Sequence, residues 1–126
     1  MTLRVLAVDD SRTMRNLLSA ALVQAGFDVD LAEDGEDGLQ RLSETSPDIV
    51  ITDINMPRLD GFGLIEAIRG SLGNRHLPIL VLTTESAPEL KARARASGAT
   101  GWIVKPFDET KLVAAIERVT MPRGEV

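Results

Sequence analysis

Four short apolar runs each stop at a polar residue, and a stretch of helical period follows each one. The runs are Val5–Val8, Ile49–Ile51, Ile79–Leu82 and Trp102–Val104. They meet Asp9 and Asp10, Thr52 and Asp53, Thr83, and Lys105 respectively. Runs this short and this uniformly apolar suit strands buried on both faces. Helices crossing over between them supply that cover, which predicts a doubly wound parallel sheet of the α/β class.

The intervening segments fit. Met14, Leu17, Leu18, Ala21, Leu22 and Ala25 recur at helical spacing, and Gly26 suits the residue that closes the helix. Phe27, Val29 and Leu31 alternate with Asp28 and Asp30, the pattern of a half-exposed edge strand. A weaker helix is predicted over Asp34–Glu44, with Leu39 and Leu42 inward and Gly35 and Gly38 lowering its propensity. A third helix follows, carrying Leu64, Ile65, Ile68 and Leu72. Ser86 and Glu89 match a capping box, with Pro88 in the first turn of a helix that ends near Gly98. Asp108 suits the cap of a last helix with Leu112, Val113, Ile116 and Val119 inward. The count is five strands and five helices in alternation. The 126 residues read as one domain, 1–126, with its core over 3–119, a short tail over 120–126 and no output domain.

Parallel strands end on one side of their sheet, where open α/β folds bind ligands. Asp9, Asp10, Asp53, Thr83 and Lys105 are therefore expected to converge on one crevice. Taken singly, each has a plainer explanation: a turn with a helix cap, a strand-end hydroxyl, a solvated lysine. Their joint placement favours a site. Three adjacent carboxylates demand a cation, and Mg²⁺, which prefers oxygen ligands, suits them. A nearby lysine adds positive charge without becoming a ligand, so the site suits a phosphoryl group. Asp53, on a central strand, is best placed to accept that group as an aspartyl phosphate.

Other chemistries have little to work with. Cys is absent and His76 is the only histidine, which leaves no thiolate site and no His-rich metal centre. His76 reads as a solvated loop residue. The net charge is −5 and aromatic residues are scarce, which disfavours nucleic acid as partner. No run is long enough for a membrane span, so a cytoplasmic protein with no membrane insertion is expected. The Arg-rich stretch Ala87–Ser97, with Arg93 and Arg95, reads as a solvated face or a partner surface.

Four stretches resemble the receiver domain of two-component response regulators, in the CheY-like chemotaxis type. They are VLAVDDSRTMR at Val5–Arg15, TDINMPRLDGF at Thr52–Phe62, LVLTTE at Leu80–Glu85 and GATGWIVKPF at Gly98–Phe107. The resemblance runs from about Leu3 to Val119. It implies a flavodoxin-like (βα)5 receiver fold with strand order 2-1-3-4-5, an order already known for such regulators. It implies Asp53 as phosphoacceptor and Mg²⁺ held by Asp10, Asp53 and the backbone carbonyl of Asn55, with Asp9 acting through water. Thr83 and Lys105 are implied as phosphoryl-binding groups, and the Lys105–Pro106 bond as cis. Asn55 and Glu85 occupy the two variable positions that tune hydrolysis.

Trp102 departs from the family pattern, standing where receivers carry a Tyr or Phe switch. Indole is larger, and Thr84 leaves less room than the Ala of many relatives. Trp102 therefore reads either as a switch or as a packing residue. The resemblance further implies a monomeric signalling protein rather than an enzyme, a histidine kinase of the chemotaxis type as donor, and a flagellar motor switch protein or another protein target. A phosphate sink or a relay receiver outside motor control fits the same residues. A Mg²⁺-dependent aspartyl phosphatase fits less well, because Asp9 and Asp10 are adjacent and there is no room for a substrate cap. A constitutive binding module is disfavoured by the complete set of Asp10, Asp53 and Lys105.

Overall fold

Apolar side chains on both faces of the strands dictate a layered structure. The computed structural model describes residues 2–121, so residues 122–126 of the expected tail lie outside the described residues. Five strands, β1 (Arg4–Val8), β2 (Asp28–Ala32), β3 (Ile49–Thr52), β4 (Ile79–Thr83) and β5 (Gly101–Val104), form one sheet. They alternate with α1 (Arg12–Gln24), α2 (Gly35–Thr45), α3 (Gly61–Glu66), α4 (Pro88–Ser97) and α5 (Glu109–Thr120). All four strand pairings are parallel, in the order β2-β1-β3-β4-β5. This is the doubly wound parallel α/β sheet, with the 2-1-3-4-5 order, expected from the sequence.

Alternation along each strand divides the core into two. Leu6, Val8, Val50, Ile79 and Val81 pack with α2, α3 and α4 on one face. Val5, Ala7, Ile49, Ile51, Leu80 and Leu82 pack with α1 and α5 on the other. β1, β3 and β4 are buried almost throughout. β2 lies at one edge, as its alternation predicts, and β5 at the other. The apolar composition of β5 does not reveal that position: its residues are half-buried and Val104 is 39% exposed.

Caps punctuate the helices. Ser11, Asp34, Asp60 and Asp108 each accept a backbone N–H of the first turn. Gly26 and Gly98 take left-handed φ values of +96° and +114° behind α1 and α4. The glycines in the α2 region serve packing. A Cβ on Gly35 would lie 2.4 Å from the Leu59 carbonyl oxygen, and one on Gly38 3.2 Å from Val8.

One local expectation fails for an identifiable reason. The capping box at Ser86 does not form, and Ala87 is the N-cap of α4 with no side-chain hydrogen bond. A box would need Ala87 in the first helical turn, but the residue before a proline is driven to extended backbone, and Ala87 has ψ 130°. Leu72, carried at the end of the third helix, is 56% exposed. After Glu66 the third helix widens into a π-helical turn over Ala67–Ser71, where the Leu72 N–H donates to the Ala67 carbonyl. The wider turn rotates Leu72 off the apolar stripe that holds Leu64, Ile65 and Ile68.

Candidate functional site

β1 and β3 are neighbours, and each ends one residue before an aspartate. The pairing Val8↔Thr52 therefore brings Asp9 and Asp53 out of the sheet side by side. The Asp53 N–H donates to the Val8 carbonyl at 3.0 Å, which fixes that register at the mouth. Asp9 is 1% exposed and Asp53 8%, while Asp10 faces solvent. One carboxylate oxygen from each of the three lies within 4.8 Å of the others.

Lys105 follows β5, yet it reaches across the sheet edge. Its Nζ donates to Asp9 Oδ2 and to Asp53 Oδ2, both at 2.7 Å. Burial pushes the lysine pKa down, but the hydrogen bonds and charges of Asp53 and Asp9 outweigh that and hold it above the usual 10.5. The remaining oxygens are tied locally. Asp53 Oδ1 accepts from the backbone N–H groups of Ile54 (2.6 Å) and Asn55 (3.3 Å), and Asp9 Oδ1 accepts from that of Ser11 (2.9 Å). The turn chemistry that each aspartate suggests on its own is thus real. It orients the carboxylates toward Lys105.

The donor set fits a divalent cation that prefers oxygen. Three carboxylates have more acceptor sites than one ammonium and three backbone donors can fill. The exposed Asp10 leaves that side open to water, which Mg²⁺ retains.

The rim links two loops. Asn55 Nδ2 donates to Glu85 Oε2 at 3.0 Å, so the loops after β3 and β4 touch directly. Trp102 is half-buried, packs against the α2/α3/α4 core, and donates its Nε1–H to the Glu85 carbonyl at 3.0 Å. Thr83 is fully buried at the end of β4, and its hydroxyl accepts weakly from the Glu85 N–H at 3.4 Å. The Lys105–Pro106 peptide is cis.

Sequence patterns miss two supporting contacts. Arg15 Nη1 donates to the Asp9 carbonyl at 2.7 Å, bracing the β1 end from α1. Gly61 sits where a Cβ would lie 2.2 Å from the Asp53 carbonyl oxygen, so the loop after β3 closes only with glycine there. Gly61 lies within the Thr52–Phe62 stretch, but a spacing rule carries no information about that approach. His76 is exposed in the loop that enters β4, at the end of that strand away from Thr83, and is the solvated loop residue expected.

The sequence profile of the response regulator receiver domain matches residues 5–117. The chain belongs to that family. This receiver is similar to a protein named "Probable chemotaxis protein CheY" from Rhizobium etli, at 41% identity over 118 residues, 93% of this chain and 92% of the relative. It is also similar to protein PilG of Pseudomonas aeruginosa, at 35% identity over 115 residues, 91% of this chain and 85% of that one. Among solved structures, the chemotaxis protein CheY4 of Vibrio cholerae superposes with a TM-score of 0.89 at 42% identity, covering 94% of this chain and 99% of that one. The CheY-like receiver type expected from the motifs is borne out, and its relatives point to chemotaxis-type signalling. Among the described residues, no helix is long and apolar enough to cross a membrane.

Proposed function

We propose that this receiver, a single domain over 1–126, takes a phosphoryl group from a histidine kinase onto Asp53 and thereby changes its affinity for a protein target. One observation carries the reading: the Lys105 ammonium bridges two nearly buried carboxylates, Asp9 and Asp53, with Asp10 open to solvent beside them. A cation held on a carboxylate at a sheet edge favours the charge that builds during phosphoryl transfer.

In the transfer, an Asp53 carboxylate oxygen attacks the phosphorus of phosphohistidine in line. The new O–P bond forms as the P–N bond breaks, and the imidazole nitrogen leaves with the electron pair and takes up a proton. Lys105 is free to move from the Asp53 oxygen to the incoming phosphoryl oxygens. Asp10, Asp53 and the Asn55 carbonyl would hold Mg²⁺, with Asp9 acting through water. When bound, that ion offsets charge on the carboxylates and on the phosphoryl oxygens. Thr83 would bond a phosphoryl oxygen, and Asn55 with Glu85 would set access for hydrolytic water. The protein promotes only its own phosphorylation and dephosphorylation.

The CheY and PilG relatives support a cytoplasmic chemotaxis-type role, with a kinase as donor and a motor switch protein or comparable protein as target. Asp53→Asn is expected to abolish acid-labile labelling by a phosphorylated kinase. Labelling that survives the substitution moves the acceptor elsewhere. A pull-down from extract with and without beryllofluoride separates the motor-binding reading from the phosphate sink. Only the former retains a target that depends on beryllofluoride.

A further inference from the structure

At the opposite end of the strands, where they begin and the helices α3 and α5 end, the surface around one loop is basic. That loop, from Leu72 to Leu77, runs into β4. Two concavities of about 570 and 520 Å³ flank this loop and share Arg75 in their walls. No carboxylate lines them: Arg69 and Arg75 stand in the first, and Arg75, Arg118 and the His76 imidazole in the second. The chain carries 19 acidic residues against 14 Lys and Arg, so a lining without carboxylates goes against its composition. Among the described residues, neither Arg75 nor Arg118 has an ion-pair partner.

The loop is held in shape. Asn74 Oδ1 accepts the N–H groups of His76 (3.1 Å) and Leu77 (3.0 Å). Its carbonyl accepts Arg69 Nη1 at 3.0 Å, while Arg69 also donates to the Gly98 carbonyl behind α4. Arg69 belongs to the π-helical turn, and such turns are retained mainly where they place a side chain that a regular helix would not. Arg69 is thereby committed to carbonyls, and Arg75, His76 and Arg118 are left exposed on a rigid support. Met121, 61% exposed, lines the second concavity with Arg75 and Arg118, and Leu72, 56% exposed, opens the same loop.

We infer that this edge is a docking surface for an acidic protein segment carrying an apolar anchor, used in both phosphorylation states. Arginine pairs with carboxylates in a planar fork, and methionine adapts to an apolar partner. A preordered loop lowers the entropy lost on binding. Nucleic acid is a poorer match. Two exposed arginines neutralise few phosphates, and the net charge of −5 repels a long polyanion. Phosphorylation chemistry lies at the other edge of the sheet, which is why the docking is independent of it.

The test is a ¹H–¹⁵N NMR titration of the full chain with a synthetic peptide, Gly-Ser-Glu-Glu-Leu-Asp-Glu-Ser-Gly. The expected result is saturable shifts confined to the 72–77 loop and the end of α5. Arg75→Ala with Arg118→Ala, both exposed, should keep the native spectrum and weaken binding roughly threefold to tenfold. Asp53→Asn and beryllofluoride should leave the affinity unchanged. No shift at millimolar peptide overturns the proposal. So do shifts on another face, an affinity that follows the state of Asp53, or tighter binding of a duplex DNA oligonucleotide to the same residues.

Discussion

Lys105→Met should destabilise this protein through the acids it leaves behind. The ammonium sits between Asp9 and Asp53, and both carboxylates remain nearly buried once it is gone. Two unit charges 4.8 Å apart, the outer limit for this cluster, repel by about 3.5 kcal/mol at an effective dielectric of ~20. Methionine fills similar space, and removing one partner of a buried pair typically costs about 3–5 kcal/mol. A loss of about 3 kcal/mol in urea unfolding at pH 7 without divalent ions is therefore expected, equivalent to a fall of about 11 °C in Tm. Two rescues identify the cause. Asp53→Asn in the Lys105→Met background should recover most of the loss, giving a strongly non-additive double-mutant cycle. Mg²⁺ at about a hundredfold over its Kd should stabilise by about 2.7 kcal/mol through linkage alone. The lysine pKa is raised in the folded state, so its contribution is complete below pH 10.5 and is lost as pH rises through the folded value. Wild type should accordingly lose stability above that pH in a step that Lys105→Met lacks. A single-mutant loss below about 1 kcal/mol, or an additive cycle, would refute charge repulsion as the governing effect.

Three further outcomes are expected. Gly61→Ala pushes a methyl group into the Asp53 carbonyl and should cost about 3 kcal/mol by urea unfolding, with slower phosphorylation because Asp53 shifts. Asp34→Ala removes the cap of α2 and the partner of Arg58, and should cost about 1–2 kcal/mol at pH 7. The Asp37 N–H and the Arg58 guanidinium outweigh burial and hold the Asp34 carboxyl below its usual 3.8, so that difference should persist above pH 3.8 and vanish as pH falls through the folded value. Trp102→Phe keeps an aromatic ring but deletes the donor to the Glu85 carbonyl, and should cost about 1 kcal/mol in stability, measured by circular dichroism because the variant has no tryptophan.

The sheet and most of the acidic site were legible because both follow from periodicity. Strands that read as uniformly apolar had to be parallel and covered, and parallel strands deliver their terminal residues to one edge. Asp9, Asp53 and Lys105 meet there, although 52 residues separate Asp53 from Lys105. What was not legible depends on backbone detail. Pro88 moved the α4 cap to Ala87, and a π turn of one residue's excess turned Leu72 outward. Neither change alters the hydropathy pattern. Gly61 and Arg15 were missed for a related reason. Each acts on a backbone carbonyl, and a carbonyl is the same atom at every position in a sequence.

Trp102 marks the boundary between the two kinds of information. Its identity left switch and packing readings equally open, and the contact that bears on them goes to a main-chain oxygen. The Nε1–H bond to Glu85 ties β5 to the loop after β4, while the Glu85 carboxylate ties that loop to Asn55 and the Asn55 N–H reaches Asp53. On the proposed phosphorylation of Asp53, charge and bulk would be added beside Asn55 and would strain the Asn55–Glu85 link. Glu85 then either carries the indole with it or gives up the indole bond. Tryptophan emission distinguishes these outcomes, since only the second removes the hydrogen bond from the ring. A changed spectrum on confirmed beryllofluoride binding therefore marks loss of the indole bond, and an unchanged one refutes that outcome.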